Sequence, residues 1–125
     1  QMCIRDSPSM SDIGYADHSE LVDYFEKENI PFVVLESKKV LINPEGVLRQ
    51  LCEKAGIPFE KCMLNWPAGA REEDGSWAEY WYANVHKSTG FMEYTPKSEP
   101  FPERLISLLE ECKPHYEKLE KLALC

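Results

Sequence analysis

The sequence predicts an α/β protein whose own 125 residues are mainly helical, with one principal strand. Three observations predict it. Residues 31–35, Pro-Phe-Val-Val-Leu, form a short apolar run rich in β-branched side chains and bounded by proline and charge. Val47, Leu48, Leu51, Cys52 and Ala55 share one face at helical spacing. Leu105, Leu108, Leu109, Cys112, Tyr116, Leu119 and Leu122 form a second, longer stripe of the same period.

The elements follow in chain order. Asp17-His18-Ser19-Glu20 fits a capping box, with Glu three residues after the cap. Leu21, Val22, Tyr24 and Phe25 then make a helical stripe that Asn29-Ile30-Pro31 ends. The strand occupies 31–36, and its unbroken apolarity predicts burial on both faces, as in a parallel sheet between helix layers. A short polar turn leads to Asn43, a good helix cap, and Pro44, which suits the first helical position. Gly56 is a natural left-handed terminator for that helix, and Pro58 prevents its continuation. A short helical turn is expected after Glu60 and a polar loop over 68–75. A further helix starts near Ser76 and carries Trp77, Tyr80, Trp81 and Val85. Residues 88–100 form a loop, and a long helix starts at Pro102, kinked or divided at Pro114.

Hydrophobic residues make up 43% of the chain and aromatics 11%, enough to build one small core. The net charge of -8 leaves no electrostatic footprint for nucleic acid and no polybasic cluster for a membrane surface. Cys52 and Cys112 fall on apolar helix faces, where cysteine acts as a small hydrophobe. The cysteines show no paired metal-ligand spacing, which favours reduced thiols in a cytoplasmic protein. Residues 1–7, Gln-Met-Cys-Ile-Arg-Asp-Ser, resemble the translated end of a transposon-based sequencing adaptor, a non-native scar to be set aside.

The run from 33 to 91 carries a family resemblance. Val-Val-Leu-Glu-Ser-Lys-Lys-Val-Leu-Ile-Asn-Pro, an amphipathic helix and Gly56-Ile-Pro-Phe59 resemble the last strand and following helix of sulfotransferase-like P-loop proteins. Met63-Leu-Asn-Trp-Pro-Ala-Gly69 and the stretch from Glu73 to Phe91 look like one branch of that superfamily, found in plants in proteins called branched-chain aminotransferase-like. The resemblance implies that 8–125 is the C-terminal half of a sulfotransferase-like domain with a P-loop NTPase-type parallel sheet. The partner it implies is the missing N-terminal half of the same domain. It further implies a parent that moves a sulfuryl group from 3'-phosphoadenosine 5'-phosphosulfate (PAPS) to a small-molecule acceptor, a hydroxyl or an amine. No Gly-rich phosphate loop occurs in these residues. The chain alone is therefore expected to hold the donor poorly, to carry no cofactor and to be inactive. The other reading is a non-catalytic sulfotransferase-like module, binding or regulatory, fused to another enzyme.

The resemblance also places the candidate donor-binding residues. Sulfotransferases set a C-terminal loop, typically Arg-Lys-Gly-x-x-Gly-Asp-Trp-Lys, over the donor's 3'-phosphate, and here Gly69, Arg71, Gly75 and Trp77 are the nearest matches. Arg71 suits bidentate phosphate contact, but the Lys partner is missing and Glu72, Glu73 and Asp74 crowd it with like charge; an exposed charged loop is the alternative. His86, Lys87 and Ser88, followed by Thr89-Gly90, could bind an anion or move a proton. The alternative is a helix C-terminus whose cations complement its dipole, ended by Gly90. Trp66, Trp77, Tyr80, Trp81 and Tyr82 could stack on a nucleotide, although Trp77 and Trp81 at helical spacing fit a core better. Glu36 reads as a turn carboxylate capping local backbone. The catalytic residue is unknown.

Overall fold

The computed structural model describes residues 8–125, so the adaptor reading of 1–7 lies outside the described residues. The described chain is mostly helical and divides into two compact units. One comprises the described part of Gln1–Glu36 together with Pro96–Leu124, the other Ser37–Thr95 with Cys125.

In the first unit, α1 (Met10–Ile13) and α2 (Tyr15–Lys27) pack with α6 (Ile106–Leu122), which follows a 3-10 turn, Glu103–Leu105. The cap expected at Asp17 is displaced. A capping box forms instead at Ser9, whose backbone N–H donates to Asp12 Oδ2 at 2.9 Å, and α2 begins at Tyr15 after Gly14. Val22 and Ser19 of α2 and Cys112 of α6 are buried. Lys118 ties the two helices, donating to the Ser19 carbonyl at 3.2 Å. Pro114 neither divides α6 nor ends it; one helix runs from Ile106 to Leu122.

The principal strand expected at 31–36 is reduced to extended chain with a single parallel bridge, Val34 to Ala123, closed by Leu124 N–H on the Val34 carbonyl at 3.1 Å. Its burial alternates. Phe32 and Val34 are half-buried, whereas Val33 and Leu35 stay exposed at 36% and 47%. Among the described residues nothing covers the face that carries Val33 and Leu35, so the two-sided burial expected of a strand between helix layers does not appear. Glu36 accepts the Tyr116 hydroxyl at 3.2 Å. Burial of that phenol, with the Glu36 charge beside it, pushes its pKa up to about 12.

In the second unit the polar turn expected before Asn43 is helical, α3 (Ser37–Ile42), and packs on α4 (Pro44–Ala55). The start and stop of α4 fall where the sequence puts them. The Asn43 side chain accepts the Gly46 N–H at 3.1 Å, and Gly56 takes the left-handed conformation at φ 68°. Val47 and Cys52 face inward. Cys52 Sγ lies 3.8 Å from the Met63 sulfur, which anchors the 3-10 turn Lys61–Met63 to the helix.

Among the described residues no helix is long and apolar enough to cross a membrane.

Candidate functional site

The site is built by two loops of the second unit. The first follows Met63 and carries Trp66, Gly69, Arg71 and a 3-10 turn, Glu72–Asp74. The second leaves α5 (Ala78–Trp81) and turns through 82–88. The helix expected to run on toward Val85 stops at Trp81, so His86 and Lys87 sit in a turn and not at a helix C-terminus. Gly90 is no terminator either. It bridges antiparallel to Asn65, and a Cβ there would meet the Leu64 carbonyl at 3.1 Å.

Four links hold the two loops together. Trp66 N–H donates to the Thr89 carbonyl at 3.1 Å, and Gly69 N–H to the His86 carbonyl at 2.8 Å. Gly69 makes the second link at φ 129°, a conformation that side-chain-bearing residues rarely adopt. The Trp66 indole N–H donates to Ser88 Oγ at 3.0 Å, and that hydroxyl donates to the Val85 carbonyl at 2.7 Å. The fourth link joins a carboxylate to an imidazole. Asp74 Oδ2 lies 2.9 Å from His86 Nε2, both side chains about one-fifth exposed.

Asp74 also accepts the Arg71 backbone N–H at 2.8 Å. That bond first, and the His86 contact second, hold its carboxyl below the usual carboxylate range. An ionised carboxylate only accepts, so His86 Nε2 carries the hydrogen in this contact. The Tyr82 ring stands edge-on to the imidazole with centroids 6.0 Å apart. His86 Nδ1 keeps no hydrogen-bond partner among the described residues.

A cleft of about 390 Å³ opens between the loops, lined by Trp66, Pro67, Gly69, Arg71, Asp74 and His86 together with Cys62, Met63 and Val85. The Arg71 guanidinium forms no ion pair with a carboxylate among the described residues, although the Asp74 charge beside it is felt. The reason is geometric: Asp74 turns back to the backbone and to His86. Cys62 stays a neutral thiol, its pKa raised by a hydrogen bond to Glu60.

Of the residues singled out in the sequence for binding, the cleft therefore gathers Trp66, Gly69, Arg71 and His86. Ser88 does not line it but bonds to Trp66, which does. Gly75, at φ 70°, shapes the turn after Asp74 without lining the cleft. Lys87 is exposed and lies off it. Trp77 lies off it too, and the core role read for Trp77 and Trp81 does not hold: they are 69% and 45% exposed. Among the described residues nothing covers the Trp77, Tyr80 and Trp81 side chains of this short segment. Asp74 is the residue that sequence reasoning misjudged. The signal was its three-residue spacing from Arg71, the same spacing that lets Asp12 reach back to Ser9.

The chain matches the family described as a sulfotransferase domain over residues 2–123. It is 35% identical over 108 residues to branched-chain-amino-acid aminotransferase-like protein 2 of Arabidopsis thaliana, covering 86% of this chain and 19% of that protein. It is 38% identical over 111 residues to branched-chain-amino-acid aminotransferase-like protein 1 of the same plant, covering 87% of this chain and 20% of that protein. The chain thus spans about a fifth of the length of these curated relatives. No solved structure matches it.

Proposed function

Because the chain belongs to the sulfotransferase domain family, we propose that its cleft receives the 3'-phosphate of 3'-phosphoadenosine 5'-phosphosulfate, in a protein that transfers the sulfuryl group to a small hydroxyl or amine. One observation carries this reading. Arg71, Gly69 and His86 meet at one cleft beside an indole ring, and the guanidinium is left unpaired by the carboxylates next to it in sequence. Guanidinium and imidazole donors suit phosphate oxygens, and the Trp66 ring offers an apolar wall for a nucleoside.

The sulfuryl acceptor and the 5'-phosphosulfate lie elsewhere in this reading. The 125 residues hold no Gly-rich loop with amides for that anion. On this proposal residues 8–125 are the C-terminal half of the domain, residues 31–36 are one strand of its parallel sheet, and the N-terminal half supplies the phosphate loop. The parallel bridge at Val34 supports a strand role for that segment. Among the described residues Cys52 and Cys112 are buried and no cysteine is cross-linked, which fits a cytoplasmic setting.

A second reading is favoured by the relatives' name and length. A protein called aminotransferase-like, of which this chain matches about a fifth, could carry the domain as a non-catalytic binding or regulatory module. Incubating the full-length protein with isotopically labelled donor and a panel of hydroxyl and amine acceptors separates the two. Label transfer is expected for the enzyme, whereas donor binding without transfer to any acceptor favours the module. Turnover by the 125-residue chain alone would overturn the division of the site.

A further inference from the structure

We propose that His86 is a proton-linked phosphate ligand: it enters the complex as an imidazolium, with Asp74 as its counter-charge and positioning residue and Nδ1 as the atom that meets the anion. The inference rests on the nucleotide-binding reading above and deepens it.

The two ring nitrogens have different surroundings. Nε2 is committed to Asp74 at 2.9 Å, while Nδ1 has no hydrogen-bond partner among the described residues, on a side chain that lines the cleft. With Nε2–H donated to the carboxylate, a neutral ring leaves Nδ1 as a lone pair, which repels a phosphate oxygen. Protonation turns Nδ1 into a donor and adds a positive charge beside Arg71. The cleft therefore accepts a dianion best after gaining one proton. Asp74 supplies the counter-charge on the opposite ring nitrogen. Its carboxyl stays ionised because the Arg71 N–H and His86 both bind its charged form.

The charges around the ring are few. Arg71 and Asp74 face it from the first loop, Cys62 from the Lys61–Met63 turn and Tyr82 from its own turn, while Lys87 is exposed beside it. Cys62, bonded to Glu60, remains a neutral thiol, so Asp74 is the one anion lining the cleft among the described residues. The backbone adds a second constraint: the His86 carbonyl takes the Gly69 N–H at 2.8 Å, which fixes the imidazole against the loop that carries Arg71.

Calorimetric titration of the full-length protein with adenosine 3',5'-bisphosphate, in two buffers of different ionisation enthalpy, counts the protons taken up on binding. Wild type should take up more protons than His86→Gln. The ligand's own phosphate titrates near 6, so the comparison between variants isolates the histidine. Wild type should bind about tenfold tighter than His86→Gln at about pH 6.5 and nearly equally at about pH 8.5. Asp74→Asn should shrink that difference while Trp66 fluorescence reports an intact loop. Adenosine 5'-monophosphate should show no comparable gap. An affinity ratio that is the same at both pH values, with the preference for the bisphosphate intact, overturns the proton link and leaves the binding reading standing. Loss of any preference for the 3'-phosphate in wild type removes both.

Discussion

The indole N–H of Trp66 donates to the hydroxyl of Ser88 at 3.0 Å, joining residues 22 positions apart on the two loops of the candidate site. Ser88 passes the bond on to the Val85 carbonyl, and the Trp66 ring meets Phe91 edge-on at 5.5 Å between centroids. One serine thus sets the orientation of the aromatic wall of the cleft.

Ser88→Ala should destabilise the second unit by about 1 kcal/mol, the cost of leaving a part-buried indole donor unpaired. In a Trp66→Phe background, which keeps an aromatic ring against Phe91 but has no N–H, the same substitution should cost measurably less. Urea unfolding of the four proteins gives the coupling. Equal costs in both backgrounds would mean that the bond does not hold the loops.

Asp74 should make the site sensitive to acid. Its folded-state pKa is depressed, so its contribution to stability is present above the ordinary aspartate value and is lost as pH falls through the folded value. The stability of wild type relative to Asp74→Asn should be greatest near neutrality and should fade from about pH 4 downward. Chemical denaturation at a series of acidic pH values tests the sign. A gap that widens on acidification contradicts it.

Val47 is 1% exposed at the centre of the second unit, whereas Ile42, five residues earlier, is 61% exposed. Val47→Ala removes two buried methyl groups and leaves a cavity, and should cost about 2 kcal/mol. Ile42→Ala should stay within about 0.5 kcal/mol. Comparing their unfolding midpoints checks the placement of the core.

These helices were legible because their signals are local. Asn43, Pro44 and Gly56 bracket α4 through capping chemistry that needs no tertiary partner. The apolar stripe of α6 prevailed over Pro114, since packing against α2 outweighs one missing backbone hydrogen bond. The strand at 31–36 was less legible, because a strand depends on neighbours that its own residues do not encode. Local pattern also overstated the helix after Ser76, where Trp77 and Tyr80 have the right spacing but no covering surface. In the site, Arg71 and His86 stand out in the sequence as residue types suited to an anion. Their grouping was not, because it depends on Asp74 choosing the backbone and the imidazole over the neighbouring guanidinium.

The exposed apolar surface should make the 125-residue chain associate. Leu35 is 47% exposed beside its single bridge, and Trp77 and Tyr80 are 69% and 72% exposed on the short α5. Leu35→Lys and Trp77→Lys should each raise the monomer fraction in sedimentation velocity. A wild-type chain that is already monomeric and unfolds cooperatively well above ambient temperature contradicts this expectation.

The central claim is that Arg71 and its cleft take the donor's 3'-phosphate. Its most direct test titrates the full-length protein and its Arg71→Ala and Lys87→Ala variants with adenosine 3',5'-bisphosphate and adenosine 5'-monophosphate. Arg71 lines the cleft and its guanidinium forms no ion pair among the described residues, whereas Lys87 does not line it. Arg71→Ala should lose about 1.5–3 kcal/mol, tenfold or more, for the bisphosphate and little for the monophosphate, with a smaller loss for Lys87→Ala. If Arg71→Ala binds both nucleotides as wild type does, the guanidinium is a surface charge and the account of the site is wrong.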